Sequence, residues 1–297
     1  MGTFDDMMRD KAQVRENLYS DPTKLGARVD LQRRFSTNLT PIADWELGLV
    51  DLSGVQQALD AGCGTGAFLL PLARRLAAQG GSVIGLDLSE GTLGEAQARA
   101  QAEGLPVTCV IGDVEALPFD DSSFDLALAN YMLYHVPELD HALGELRRVL
   151  RPGGTLLAAT NGEGHMRELW QMVAEALARL GLAAEALASA RERGRIVGEM
   201  TFRLENGAEA LRRHFSDVRL ERYPDELHVT EAEPLVAYVS GMWSLDPMLA
   251  VVAAPEHERE ALRARLIESF RTLVQERIAA DGVVRIAKET GAFVCAP

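Results

Sequence analysis

The chain has 297 residues, of which 47% are hydrophobic and 25% charged, the balance of an ordinary globular protein. This composition excludes an intrinsically disordered chain, because such a chain lacks the apolar residues for a core. Its 44 acidic and 30 basic residues give a formal net charge of −14. Phosphate backbones repel so acidic a protein, and we therefore expect no nucleic-acid partner.

The three cysteines, Cys63, Cys109 and Cys295, lie far apart in the sequence and lack metal-ligand spacing. We therefore expect neither a disulfide framework nor a metal site. The first ten residues lack the apolar stretch of a signal peptide, and no run of about 18 apolar residues is present to span a membrane. These features predict a cytoplasmic protein without a membrane partner.

Residues 1–54 read as mostly helical and polar, and we predict that they form an N-terminal arm. Basic and aromatic side chains stand out here against the acidic composition, namely Tyr19, Arg28, Arg34 and Phe35. They either contact an anionic substrate or belong to a solvated helix face. We retain them as candidates for substrate binding.

Short apolar runs alternate with amphipathic stretches between residues 55 and 160. The runs predict strands at 55–61, 82–87, 107–111, 124–129 and 155–160, and the stretches predict helices at 67–79, 89–103 and 139–150. Such alternation is typical of a parallel sheet covered by helices on both faces. We expect residues 55–160 to form the cofactor-binding core of an α/β protein.

Residues 161–297 have a different pattern. Helices are predicted at 166–180, 231–242 and 256–279, and strands at 218–223 and 227–230, with a terminal hairpin from 283–286 and 291–296. The simplest topology returns these last strands to the edge of the sheet. The extra helices then form an inserted lid.

A glycine-rich loop, Asp60-Ala-Gly62-Cys63-Gly64-Thr-Gly66, joins the first predicted strand to the first helix. Glycines permit a tight turn and let backbone N–H groups approach a ligand closely. Asp87 follows 21 residues after Gly66, where a carboxylate accepts hydrogen bonds from ribose hydroxyls. Taken alone, these features also fit a nicotinamide dinucleotide.

Three further blocks follow in order, Gly112–Phe119, Phe124–Asn130 and Leu146–Gly154. Together with the loop and Asp87, they resemble the class I S-adenosylmethionine-dependent methyltransferases over about residues 55–160. The branch most similar is the small-molecule one, which includes ubiquinone and menaquinone C-methyltransferases and antibiotic-pathway enzymes. The resemblance implies a Rossmann-like, doubly wound, mostly parallel seven-stranded sheet. It also implies methyl transfer to an O, N or C atom of a small metabolite, with S-adenosylhomocysteine as product.

The resemblance also implies a set of cofactor contacts. Asp60 and the backbone of Gly62 and Gly64 would hold the amino-acid end, and Asp87 the ribose diol. Leu88 would pack on the adenine, with Asp113 accepting its amino group and the Val114 N–H donating to its ring. Cys63, Gly66 and Asn130 complete the predicted set.

Ligands of open parallel sheets lie beyond the carboxyl ends of the strands, which places Asn130 and Tyr131 near the transferred methyl group. His135 is the candidate base, since histidine titrates near neutrality. Alternatively, it packs or caps at the Pro137 turn. His165, after the fifth strand, either contacts the substrate or belongs to a helix-capping cluster.

Two other functions stay open at this point, namely an NAD(P)-dependent oxidoreductase and a non-catalytic binding protein of the methyltransferase fold. Residues 130–133 lack the Pro-Pro block of exocyclic-amine nucleic-acid methyltransferases, in accord with the acidic charge. The acceptor and the oligomeric state have no signal in the sequence.

Overall fold

A seven-stranded sheet runs through the computed structural model, which describes residues 22–181, 201–242, 245, 249 and 256–296. The strands are β1 (Gln57–Ala61), β2 (Ser82–Asp87), β3 (Val107–Ile111), β4 (Phe124–Leu128), β5 (Leu150–Asn161), β6 (Asp217–Arg222) and β9 (Thr290–Ala296). Their order is β3-β2-β1-β4-β5-β9-β6, with β1 to β5 parallel and β9 antiparallel to both neighbours. The predicted Rossmann-like, mostly parallel sheet is confirmed.

The predicted terminal hairpin is wrong. Strand β8 (Val284–Ala287) pairs with β7 (Glu226–Val229) in a separate two-stranded ribbon, whereas β9 enters the main sheet. Strand β9 also lies inside the sheet, and β6 takes the edge. The physical reason is burial: β9 is apolar and buried almost throughout, so it needs cover on both faces, while β6 is half-exposed and suits an edge.

Helices flank the sheet and build an additional layer beside it. Their bounds are α1 (Pro22–Phe35), α2 (Ile42–Leu47), α3 (Leu69–Ala77), α4 (Glu90–Ala102), α5 (Leu139–Val149), α6 (Arg167–Arg179), α7 (Gly207–Leu211), α8 (Ala232–Ser240) and α9 (Glu256–Asp281). Ser89 caps α4, because its side chain accepts the Thr92 N–H.

Successive residues of the strands point to opposite faces of the sheet, and each face carries its own apolar cluster. A third group, here called the accessory cluster, consists of buried residues from α1, α6, α8, α9, β7 and β8. Leu31 and Phe35 place α1 in this cluster, together with helices that follow residue 160. The division into an arm, a core and a lid stays a prediction.

Helices of the described ranges include none long and apolar enough to cross a membrane. The three cysteines are free thiols.

Candidate active site

The glycine-rich loop is fixed to the end of β2. The Gly62 and Cys63 N–H groups both donate to the Leu86 carbonyl oxygen, at 2.7 and 3.1 Å. The φ angles of Gly62, Gly64 and Gly66 are +74°, +50° and +91°, a region that favours glycine. A Cβ at Gly62 would lie 2.7 Å from Cγ of Met132, whereas a Cβ at Gly64 would have no described atom within 4 Å apart from those of residues 63–65. The loop is therefore open for a ligand at Gly64.

Asp87 holds this open end of the loop. Its Oδ2 accepts the Gly64 N–H at 2.8 Å, and its Oδ1 accepts the Ser89 N–H at 2.9 Å. Asp87 and the following Leu88 are both half-buried. The carboxylate thus orders the glycine loop and remains within reach of a ligand above it.

Cys63 differs from its predicted neighbours in the loop. Its side chain is buried in the apolar cluster beneath α3, and a Cβ at Gly85 would lie 2.9 Å from its sulfur. Burial and the nearby Asp60 raise the pKa of the thiol. The structure gives Cys63 a packing role, and its contact with a cofactor stays a prediction.

The turn after β3 carries Asp113 and Val114 beside Asp87. The Gly112 N–H donates to the Asp87 carbonyl oxygen at 3.1 Å, which joins the ends of β2 and β3. Asp113 Oδ1 accepts the Glu115 N–H at 3.0 Å, and Val114 is buried. The structure therefore brings the predicted ribose and adenine residues together at neighbouring strand ends.

Two buried acids lie beneath the loop, Asp60 on β1 and Glu46 on α2, with exposed fractions of 1% and 0%. Burial raises the pKa of each to about 8, and the charge of Asp60 adds to the effect on Glu46. The Asn130 amide partly opposes the rise at Glu46, although no hydrogen bond of ordinary geometry joins these two side chains. The sequence analysis did not predict a buried Glu46. The only indication in the sequence is its spacing from Ala43 and Leu47, which places all three residues on one buried face of α2.

Asn130 and Tyr131 follow β4 directly. Asn130 Oδ1 accepts the Ala159 N–H at 3.0 Å, and Tyr131 has a φ of +56°, unusual for a bulky residue. The Tyr131 hydroxyl lies 2.7 Å from Oγ1 of Thr290, which itself donates to the Thr160 carbonyl oxygen. Tyr131 is therefore the donor in this pair. Burial also raises the pKa of its phenol, so it stays protonated at neutral pH.

The two candidate histidines lie in different surroundings. His135 ends a 3-10 turn, Leu133–His135, and its ring centroid lies 4.5 Å from that of Tyr134. His165 has a buried Nδ1 with no hydrogen-bond partner among the residues that the structure describes. Burial and the charge of Lys288 lower the pKa of His165 to about 4. His165 is therefore neutral at pH 7.

The predicted substrate residues of the N-terminal segment have structural partners. Arg34 pairs with Glu231 at 2.6 Å and lies over the ring of Phe35, which is buried in the accessory cluster. Tyr19 and the side chain of Arg28 lie outside the described residues. Roles in substrate binding stay predictions for all four.

A buried ion pair that the sequence did not reveal joins distant segments. Lys288, between β8 and β9, pairs with Asp225, and their side chains are 8% and 0% exposed. Asp225 also accepts the Ser36 hydroxyl at 2.7 Å and the Asn38 N–H at 3.1 Å. This pair lies near the candidate residue His165, since the charge of Lys288 acts on it.

A family model described as a methyltransferase domain matches residues 59–158. Malonyl-[acyl-carrier protein] O-methyltransferase of Erwinia pyrifoliae is 43% identical over 121 residues, 39% of this chain and 43% of the relative. Demethylmenaquinone methyltransferase of Shouchella clausii is 38% identical over 109 residues, 36% of this chain and 46% of the relative. The chain thus spans less than half the length of either relative.

Two solved structures share the fold over nearly the whole chain. The [4+2]-cyclase SpnF has a TM-score of 0.52 at 19% identity, covering 97% of this chain and 96% of its own. A Haemonchus contortus phosphoethanolamine N-methyltransferase, solved with S-adenosylhomocysteine, has a TM-score of 0.52 at 19% identity, covering 98% of this chain and 60% of its own. These likenesses concern the fold. Residues 59–158 are similar to a methyltransferase domain, in agreement with the names of both curated relatives.

Proposed function

We propose that this chain is an S-adenosylmethionine-dependent methyltransferase that acts on an O, N or C atom of a small-molecule acceptor. The observation that carries the proposal is the glycine loop within the matched domain. Its backbone is open at Gly64, and the Asp87 carboxylate holds that opening. A backbone opening beside a half-buried carboxylate suits a ligand with ribose hydroxyls.

The residues present fit the cofactor. Asp87 would accept the ribose hydroxyls, Leu88 would pack on the adenine, and Asp113 and Val114 would bind the adenine edge. The Gly62 and Gly64 backbone and Asp60 would hold the amino-acid end. Oδ2 of Asp60 is buried and unpartnered within the described part of the chain, as expected where a ligand supplies the donor.

When bound, this cofactor supplies a methyl group already activated by a sulfonium charge. Transfer is an in-line displacement, so the protein has to align the acceptor and exclude water. Asn130 and Tyr131 lie at the end of β4, where this alignment takes place. Since the Tyr131 hydroxyl donates to Thr290, it shapes the site and does not take a proton. For acceptors that lose a proton, we assign that role to His135.

The curated relatives act on different acceptors, according to their names, and we propose for this chain only the class of small molecules. Its charge of −14 supports the absence of a nucleic-acid partner, and its free thiols support a cytoplasmic location.

Calorimetric titration tests the cofactor assignment. We expect the protein to bind S-adenosylhomocysteine and neither NAD nor NADP. Asp87→Ala should weaken this binding by about 1–3 kcal/mol, because charge-assisted hydrogen bonds are lost. Asp51→Ala is the control, since Asp51 lies before β1 at the opposite end of the strand and, among the described residues, hydrogen-bonds with Ser53 alone. Binding of NAD or NADP in place of S-adenosylhomocysteine would contradict the proposal.

The role of His135 needs a turnover assay, in which S-adenosylhomocysteine formation is followed across a panel of acceptors. For acceptors that must lose a proton, His135→Ala should lower the rate constant at saturating acceptor by about 10²-fold or more. A near-normal rate constant would remove His135 as the base.

A further inference from the structure

Unpartnered polar atoms from three elements meet beneath the glycine loop. They are both carboxylate oxygens of Glu46 on α2, Oδ2 of Asp60 on β1, and Nδ2 of Asn130 after β4. The exposed fractions of these residues are 0%, 1% and 7%, so bulk water does not satisfy them. Buried polar groups of a folded protein are nearly always hydrogen-bonded, and several unpaired ones together call for an explanation.

Another buried acid of this fold has a counter-ion and hydrogen-bond donors. Asp225 has Lys288 as counter-ion and receives hydrogen bonds from Ser36 and Asn38. Glu46, by contrast, has the acidic Asp60 as its neighbour, Asp60 has Asp87, and no described lysine or arginine forms an ion pair with Glu46 or Asp60. Glu46 and Asp60 thus lack a counter-ion, although the same fold supplies one to Asp225. This difference indicates that a bound ligand supplies the positive charge to Glu46 and Asp60.

The donor pattern narrows the chemistry of that cation. Two carboxylates accept several N–H bonds from one primary ammonium group. The remaining unpartnered atom, Nδ2 of Asn130, is a donor, so it disfavours a bare metal ion and suits a ligand oxygen near the ammonium. An ammonium group next to an oxygen acceptor is the amino-acid end of the cofactor.

We propose that Glu46, together with Asp60, binds the ammonium group of the cofactor's amino-acid end, with Asn130 donating to an oxygen of the same end. This inference rests on the proposed function and deepens it. Glu46 lies outside residues 59–158, so the family match does not assign it a role. Helix α2 thereby supplies a binding residue from before the methyltransferase domain.

The test compares two ligands that differ at this end. S-adenosylhomocysteine carries the amino-acid end, and 5′-methylthioadenosine lacks it. Glu46→Gln should weaken the binding of S-adenosylhomocysteine at least about tenfold and that of 5′-methylthioadenosine less than about twofold, since one charge-assisted interaction is lost. Glu95→Gln, on the exposed side of α4, is the matched control and should change neither.

Two additional measurements separate binding from folding. Without ligand, Glu46→Gln should unfold at the same or a higher temperature than wild type, because it removes a buried carboxyl group. Glu46→Asp keeps the charge and should retain part of the preference for S-adenosylhomocysteine. An equal loss for both ligands, or no loss for either, would overturn the assignment. If wild type itself binds neither ligand, the proposed function fails and this inference with it.

Discussion

At the scale of single residues, ionisation is costly at Glu46 and Asp60. Both carboxyls are removed from water, the charge of Asp60 opposes ionisation of Glu46, and the charge of Asp87 opposes ionisation of Asp60. The groups that face Glu46 are Asp60, the Asn130 amide and the Tyr131 ring, and Asp87 acts on Asp60. None of these supplies a positive charge, so both acids hold their protons to a higher pH than in the unfolded chain.

This burial predicts how stability depends on pH. The pKa values rise from 4.5 and 3.8 in the unfolded chain to about 8 in the fold. The folded chain therefore binds more protons in that interval, and its free energy of unfolding falls as pH rises from about 4 to about 8. Glu46→Gln should be more stable than wild type by more than about 1 kcal/mol at pH 8, and the two should converge toward pH 5. Urea unfolding at both pH values measures the gap, and a gap that does not change with pH would refute the prediction.

The residues of the glycine loop were predictable because their chemistry is local. Asp60, Gly62 and Gly64 belong to one short loop motif and Asp87 ends the next strand, and the structure joins Gly64 to Asp87 by a hydrogen bond. Glu46 and Lys288 were not predictable in the same way, since their partners come from remote segments. Whether a lone Glu or Lys is buried depends on tertiary packing.

At the scale of elements, strand β9 packs closely against the backbone of a neighbouring strand. It lies between β5 and β6, and its Gly291 faces Thr160 of β5 and Arg222 of β6 across the two ladders. A Cβ on Gly291 would overlap the Glu221 carbonyl oxygen of β6. The glycine therefore permits the close approach of β6 to β9.

Adding one methyl group tests this packing. Gly291→Ala should destabilise the protein by about 1–3 kcal/mol, because the β6 backbone has to move. The control adds the same group to the interior of α4, where the new Cβ at Gly94 would have no described atom within 4 Å beyond its chain neighbours and the backbone of its own helix. Gly94→Ala should stabilise by about 0.5–1 kcal/mol, because alanine favours a helix. Urea midpoints compare the two variants, and equal midpoints would show that Gly291 is not needed for close packing.

Hydrophobic periodicity was sufficient to predict the helices and strands, and insufficient for their pairing. Each strand predicted between residues 55 and 160 is present within a few residues, as are the three helices. The terminal hairpin was predicted from proximity in sequence, whereas burial decided the outcome. Strand β8 alternates between buried and exposed residues and fits a ribbon, and β9 is apolar on both faces.

At the scale of the whole molecule, the Lys288–Asp225 pair joins the segment after α1, the start of the ribbon and the link into β9. The accessory cluster gathers the same parts of the chain, since it contains residues of α1, β7 and β8. The sequence offers no local signal for this assembly, because Asp225 is separated from Lys288 by 63 residues and from Ser36 by 189. Packing of remote apolar faces brings them together.

Removing the lysine charge tests the junction. Lys288→Met should destabilise the protein by about 3–5 kcal/mol, because it leaves the Asp225 carboxylate buried without a counter-ion. Arg74→Met breaks a pair with Glu103 in which both side chains are exposed, and it should cost less than about 1 kcal/mol. Thermal and urea unfolding of both variants give the comparison. The double variant Lys288→Met, Asp225→Asn should recover part of the loss, and a similar small effect of both single variants would contradict the role of the pair.

The position of β9 has a consequence for synthesis of the protein on the ribosome. Translation proceeds from the N-terminus, and β9 is made after every other described strand, although it occupies an interior place in the sheet. Until residues 290–296 leave the exit tunnel, β5 has an open hydrogen-bonding edge and β6 has no strand to join. Nascent chains therefore expose an aggregation-prone edge until β9 emerges, and the sheet is completed only after that strand has left the exit tunnel.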